Sequence, residues 1–274
     1  RFHRPLITTV HHPLTIDFQA SLERDRNFTE RYYTVVFYPV GMQRRVIQRC
    51  DRVLTSSQET AREIQRVFGV SGDKIRMVYN GLDADFFQPI DGEPKRSNSL
   101  LFVGNTDDSK KGILYLLQAM TLLPEAVTLT IVDQGAPCKT YAPELVQKLG
   151  LTPRITFTGK VSAEVLRQWY ASSEAVILPS LYEGFGLPAA ESMACGTPVI
   201  ATCAGALPEV VGEDGAGVLV PPRNPQALAQ AILEVLRDPD RRVKMGMAGR
   251  QRVEKLFTWE RVAERTAEVY RELL

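Results

Sequence analysis

Two glutamates eight residues apart, Glu183 and Glu191, bracket the chain's densest cluster of chemically suggestive residues: Leu178-Pro179-Ser180-Leu181-Tyr182-Glu183-Gly184-Phe185-Gly186-Leu187-Pro188-Ala189-Ala190-Glu191. A short apolar run enters a glycine-bearing loop. Pro188 then sits where a helix begins, a place where its missing N–H leaves no helical bond unmade. Glycines let backbone N–H groups come close to a ligand, and a helix N-terminus favours negative charge. That pattern suits a diphosphate at the carboxyl ends of parallel strands. A pair of carboxylates also invites glycoside hydrolysis, with one acid and one nucleophile or base. Such pairs flank a sugar in an open cleft, whereas Glu191 falls in a helix turn behind a phosphate-type loop, which fits nucleotide binding better. Spacing alone leaves blander roles open: Glu191 as a complement to the helix dipole, Glu183 as a solvated loop residue.

Cations stand upstream. In Lys110-Lys111-Gly112 the lysines fall at a helix start, where positive charge is mildly unfavourable, and that misfit favours a functional role over a solvated one. The preceding Gly104-Asn105-Thr106-Asp107-Asp108-Ser109 lacks the second glycine of a Walker loop, and no strand is followed by G-x-G-x-x-G. Thr9-Val10-His11-His12 places a histidine pair just past a strand end.

The elements that must position these groups alternate. Strands are predicted at Leu6–Val10, Arg52–Thr55 and Ile75–Val78, with a helix from about Thr29 to Arg49 and another capped by Ser56-Ser57, running through Phe68 to Gly69. The polar, proline-bearing stretch 88–99 reads as an interdomain linker. Beyond it, strands at Leu100–Val103, Thr128–Val132, Ile155–Thr158, Ala175–Leu178, Pro198–Ala201 and Gly217–Val220 are separated by helices at about Gly112–Thr121, Pro143–Leu149, Ser162–Ser172, Pro188–Cys195 and Pro225–Leu236. Two or three more helices finish the chain, the last over Trp259–Leu274. Short apolar strands spaced by helices imply a mostly parallel sheet covered on both faces, an α/β fold.

Composition narrows the rest. Of 274 residues, 44% are hydrophobic and 24% charged, and the net charge of +1 gives no reason to propose a nucleic-acid partner. No window approaches a membrane span. Cys50, Cys138, Cys195 and Cys203 are scattered without a C-x-x-C pair, and the histidines are only His3, His11 and His12. No metal site and a reducing, cytoplasmic setting are therefore expected. One sequon, Asn27-Phe28-Thr29, is short enough to arise by chance. Residues 1–52 hold nine arginines and lysines against five acidic residues, with Arg44, Arg45, Arg49 and Arg52 at roughly helical spacing. A solvated helix face is the favoured reading, and peripheral contact with an inner membrane face the alternative.

The ordered set of segments resembles the retaining glycosyltransferases of family 4, which have the GT-B fold of two Rossmann-like domains. The E-x7-E segment carries the resemblance, together with Asp51-Arg52-Val53-Leu54-Thr55-Ser56-Ser57, Val78-Tyr79-Asn80-Gly81-Leu82-Asp83, Leu101-Phe102-Val103-Gly104, Phe157-Thr158-Gly159, Gly196-Thr197-Pro198-Val199-Ile200-Ala201 and Phe257-Thr258-Trp259-Glu260. The resemblance implies that Glu191 binds the ribose of a nucleotide and that Glu183 faces the donor sugar. It places the backbone of Gly184, Phe185, Gly186 and Leu187 near sugar and phosphates. Lys111 would neutralise the diphosphate as negative charge grows on it, and His11 would contact the donor sugar. The family usually has Gly-Arg where this chain has Gly104-Asn105. Asparagine can hydrogen-bond a phosphate but brings no charge, so either Lys110 supplies it or the site is weaker.

The implied reaction moves a sugar from a nucleotide diphosphate sugar to a hydroxyl acceptor (a sugar, a lipid-linked sugar or a small molecule) with no metal or cofactor. The implied organisation is residues 1–88 as the C-terminal part of an acceptor-side domain, 89–257 as the donor-binding domain, and 258–274 as a helix crossing back to the first. Only about three strand–helix units fall in 1–88, fewer than a complete Rossmann-type domain of roughly 100–150 residues holds. The first domain is therefore expected to be incomplete, and a non-catalytic nucleotide-sugar-binding fragment is the alternative function.

Overall fold

The computed structural model describes residues 4–24, 27–37, 39–133 and 141–274; His3, Tyr38 and Cys138 lie outside them. The chain divides into two compact units, residues 1–81 with 259–274, and residues 82–258.

In unit 1, β1 (Ile7–Val10) leads to three helices, α1 (Leu14–Arg24), α2 (Phe28–Phe37) and α3 (Val40–Arg49), then β2 (Arg52–Thr55), α4 (Gln58–Phe68) and β3 (Ile75–Met77). The sheet has the order β1-β2-β3 and is parallel throughout. Where a single helix over 29–49 is expected, two form, because Pro39 takes the N-cap position of α3; proline has no N–H to continue a helix and biases the residue before it away from helical backbone. Helix α1 was not anticipated. As predicted, Ser57 caps α4 by accepting from the Thr60 N–H, and Gly69 ends it in the left-handed region at φ 65°. Val10, Ile47, Cys50, Val53, Ile64, Phe68 and Val70 form the core. On α3, Arg44, Arg45 and Arg49 are exposed, while Arg52 at the start of β2 is committed elsewhere.

Unit 2 runs β4 (Ser99–Val103), α5 (Ile113–Met120), β5 (Thr128–Val132), α6 (Tyr141–Lys148), β6 (Ile155–Phe157), α7 (Ala163–Ser172), β7 (Ala175–Leu178), α8 (Leu187–Ala194), β8 (Val199–Thr202), α9 (Leu207–Val211), β9 (Gly217–Val220), α10 (Pro225–Arg237) and α11 (Pro239–Leu256). Its six strands lie parallel in the order β6-β5-β4-β7-β8-β9. Strands β4, β7 and β8 are buried along their whole length, which is why they read as unbroken apolar runs. From β4 the chain steps outward to β5 and β6, then returns to the other side of β4 and steps outward again. The strand order therefore reverses between β4 and β7. In such sheets the crevice beyond the carboxyl ends of those two strands is where ligands bind.

Residues 82–98, including most of the expected linker, are fastened to unit 2. The Leu82 N–H donates to the Phe257 carbonyl at 2.8 Å, and Arg250 Nη1 donates to the carbonyls of Ala84 and Phe87 at 2.7 Å each. Helix α12 (Trp259–Arg271) belongs to unit 1, where Val269 packs on Leu54 and Val78. Just past it, Glu272 accepts from Arg52 Nε at 2.9 Å and Arg76 Nε at 2.8 Å. Among the described residues, no helix is long and apolar enough to cross a membrane, and no cluster of three His, Cys, Asp or Glu side chains is placed to hold a metal ion.

Candidate functional site

Two loops meet at the crevice. After β7 the chain crosses Pro179–Gly186 and enters α8 with Gly186 at φ 99°, a left-handed backbone that favours glycine. No side chain caps this helix start, and Pro188 occupies its first turn. The Phe185 side chain is buried edge-on against Phe257, with centroids 5.3 Å apart, and so anchors the loop.

After β4, Asp108 opens a tight turn over Ser109–Lys111 by accepting from the Lys110 N–H at 3.0 Å. Gly112 closes it at φ 66°, and a Cβ there would lie 2.0 Å from the Pro179 carbonyl oxygen. The backbones of the two loops thus touch where only glycine fits. The Leu181 N–H donates to the Lys110 carbonyl at 2.6 Å, fastening them a second time. Thr106 bonds Asp133 at the end of β5, fixing the turn to the sheet.

This contact brings Lys111 to Glu183, Nζ to Oε1 at 2.8 Å, although the residues stand 72 apart in sequence. The same oxygen accepts from Ser180 Oγ at 2.8 Å. Behind Glu183, the Ala206 N–H donates to its carbonyl at 2.9 Å, and a Cβ on Gly205 would lie 2.3 Å from that carbonyl oxygen. Glu183 is consequently buried, charge-paired and held by three neighbouring segments.

Glu191 sits in a different environment. Its Oε2 accepts from the hydroxyl of Tyr170 on α7 at 2.7 Å. Burial raises the Glu191 carboxyl above the usual range, and the Tyr170 hydrogen bond opposes that rise. Burial, and then the nearby Glu191 charge, push the Tyr170 phenol well above its ordinary value. One carboxylate is thus held by an ammonium and the other by a neutral phenol, two distinct environments.

Lys110, Lys111, Asn105, Glu183, Gly184, Phe185, Gly186, Leu187 and Glu191 all belong to unit 2, on the two loops and on α8. Lys110 Nζ lies 3.8 Å from Asp108 Oδ2. Asn105 Oδ1 accepts from the Asp107 N–H at 2.9 Å, so toward a phosphate Asn105 has only its amide N–H groups to offer. His11 belongs to unit 1, exposed just past β1, its carbonyl accepting from Ser56 Oγ and Thr60 Oγ1. The neighbouring His12 is bound to Asp17 through Nε2 at 2.6 Å. Sequence reasoning missed Ser180, Tyr170, Asp108 and Gly205. Ser180 stood three residues before Glu183 and could have been found; Tyr170 and Gly205 are defined only by packing.

The family model described as glycosyl transferases group 1 matches residues 83–252, and that described as glycosyltransferase family 4 matches residues 1–86. The chain belongs to the group 1 glycosyltransferases. Over 272 residues this group 1 chain is 35% identical to the MMP alpha-(1->4)-mannosyltransferase of Mycolicibacterium hassiacum, covering 97% of the chain and 65% of that protein. It is 33% identical over 242 residues to a D-inositol 3-phosphate glycosyltransferase of Xylanimonas cellulosilytica, covering 82% of the chain and 58% of the relative. The chain therefore spans about three fifths of the length of these curated relatives. Among solved structures, the sucrose-phosphate synthase of Thermosynechococcus elongatus matches with a TM-score of 0.82 and 31% identity, over 100% of the chain and 69% of the synthase. The fold is accordingly α/β of the GT-B type.

Proposed function

We propose that this chain is the donor-binding part of a retaining glycosyltransferase, moving a hexosyl unit from a nucleotide diphosphate sugar to a hydroxyl acceptor. The observation that carries this reading is Lys111, brought by the contact of two loops to the crevice between β4 and β7, 2.8 Å from Glu183 and beside a helix start that no side chain caps. The diphosphate lies between the loops and takes the Lys111 ammonium as its own partner. Lys110 and the N-terminus of α8 add positive potential, Asn105 contributes N–H groups, and Glu191 accepts from the ribose hydroxyls. Glu183 and the backbone of Gly184–Leu187 face the sugar.

In the transfer, the bond from the anomeric carbon to the diphosphate oxygen breaks as the acceptor oxygen attacks the same face. The departing diphosphate takes the acceptor proton, so configuration is retained without a covalent enzyme intermediate. The cations and the helix N-terminus stabilise the negative charge growing on the leaving group, so no metal ion is required. The group 1 family membership and the mannosyltransferase name of the 35% relative support a hexosyl donor.

The uncharged Asn105 favours a second reading, a nucleotide-sugar-binding protein without turnover. A thermal-shift panel with UDP, GDP, ADP and NAD, repeated on Glu191→Ala, tests both. A ligand at 100 times its dissociation constant adds about 2.7 kcal/mol. A shift with one nucleoside diphosphate that vanishes in the variant supports the donor site and identifies the base, and no shift with any of them contradicts it. Release of nucleoside diphosphate from a sugar donor, unaffected by EDTA, then separates an enzyme from a binder.

A further inference from the structure

A second cavity, of about 600 Å³, lies in unit 2 at the amino ends of β7 and β8, at the opposite end of the strands from Lys111 and Glu183. Its volume is ordinary for a small-molecule site. Pro89, Ile90, Ala171, Pro198, Val243 and Met247 give it apolar walls. Three cations, Lys95, Arg242 and Arg250, face two carboxylates, Glu93 and Glu174, so the lining carries a positive balance.

Most of these charges are already engaged. Arg242 donates to Glu174 Oε1 at 2.6 Å and to the carbonyls of Val235 and Leu236. The other Glu174 oxygen accepts from the Asn98 N–H at 2.7 Å. Arg250 binds the carbonyls of Ala84, Phe87 and Ala194, and Glu254. Lys95 is different. It is an exposed residue whose ammonium is drawn inward, donating to the Ser173 carbonyl at 2.9 Å and to Thr197 Oγ1 at 2.7 Å. An ammonium has three hydrogens, so one remains for an occupant.

We propose that this cavity binds a small amphiphilic monocarboxylate, its hydrocarbon part against the apolar walls and its carboxylate on Lys95. Burial pushes the Lys95 ammonium down to about 8; the Cys195 thiol and Glu174 oppose that shift, and Arg242 adds to it. Glu93 is the remaining carboxylate of the lining and Arg250 the remaining cation. The proton on which an anionic ligand depends is therefore lost as pH rises through about 8.

Calorimetric titration of octanoate into the protein, with octylammonium as the charge-reversed control, tests this. Lys95→Met removes the ammonium and keeps the stem. Val243→Glu sets a like charge at the cavity wall on a side chain that is 63% exposed, where folding is not disturbed. Octanoate is expected to bind wild type at one site and octylammonium not to bind. Each variant is expected to lower octanoate affinity about tenfold or more, and wild-type affinity is expected to fall between neutral pH and pH values above 8. Absence of octanoate binding, equal affinity in wild type and both variants, or equal binding of octylammonium would each overturn the proposal.

Discussion

Replacing Gly112 with alanine probes the contact on which the crevice depends. Gly112 has φ 66°, and its added Cβ would lie 2.0 Å from the Pro179 carbonyl oxygen, where real Cβ contacts essentially never fall under 3.0 Å. The loops must therefore separate by about 1 Å to admit one methyl group. The left-handed backbone alone costs an alanine about 1–2 kcal/mol. Overpacking against a backbone atom adds about 1–3 kcal/mol, and stretching the Leu181–Lys110 hydrogen bond adds about 1 kcal/mol. Gly150 supplies a matched control: its φ is 68°, but nothing lies within 4 Å of its added Cβ. Gly150→Ala should bear the backbone strain alone. Urea unfolding of the two variants should then place Gly112→Ala about 2–4 kcal/mol below Gly150→Ala. The same shift draws Lys111 away from Glu183, so nucleotide affinity should fall in Gly112→Ala and hold in Gly150→Ala. Equal stability of the two variants would refute the close approach of the loops.

Three further outcomes are expected. Tyr170→Phe removes the hydroxyl that Glu191 accepts from and should destabilise by about 1–3 kcal/mol while weakening nucleotide binding; unchanged stability and affinity would show the bond to be idle. Because burial raises the Glu191 carboxyl in the folded state, its contribution to stability is fully present below the ordinary 4.5 and is lost as pH rises through the raised value. Glu191→Gln should therefore gain on wild type in thermal melts as pH rises above 4.5, even as it loses nucleotide, and a gap that stays constant with pH would contradict this. The Glu272 carboxyl is lowered to about 2 by Arg76 and then Arg52, so its contribution is present above the ordinary 4.5 and lost as pH falls through about 2. Wild type should accordingly exceed Glu272→Gln in melting midpoint at neutral pH, with the difference closing toward pH 2; a difference that persists there would remove the assigned role.

Much of unit 2 was legible because parallel strands buried on both faces read as continuous apolar runs such as Leu100–Val103 and Ala175–Leu178. The helices expected between them at about Ser162–Ser172 and Pro225–Leu236 form at Ala163–Ser172 and Pro225–Arg237, capped by Ser162 and Asn224. The strand–glycine loop–Pro188 pattern likewise carried the phosphate-binding reading, since loop and helix start are consecutive in the chain. What depends on strand order was not legible. Lys111 meets Glu183 only because β4 and β7 are neighbours, and nothing local to either residue encodes that. Gly112 and Gly205 look like ordinary loop glycines until the Pro179 and Glu183 backbones are placed against them. In unit 1, the single helix expected over 29–49 overlooks Pro39, which cannot continue a helix and at which the structure starts a new one.

The central claim is that a donor diphosphate lies on Lys111 between the β4–α5 and β7–α8 loops. Calorimetric titration of the preferred nucleoside diphosphate, and of the same nucleoside without phosphates, into wild type and Lys111→Met tests it most directly. A hydrogen bond to a charged group is worth about 1.5–3 kcal/mol, so the diphosphate should lose about ten- to hundredfold in affinity in the variant, with the nucleoside unaffected. Equal diphosphate affinity in both proteins, or an equal loss for nucleoside and diphosphate, would contradict the assignment.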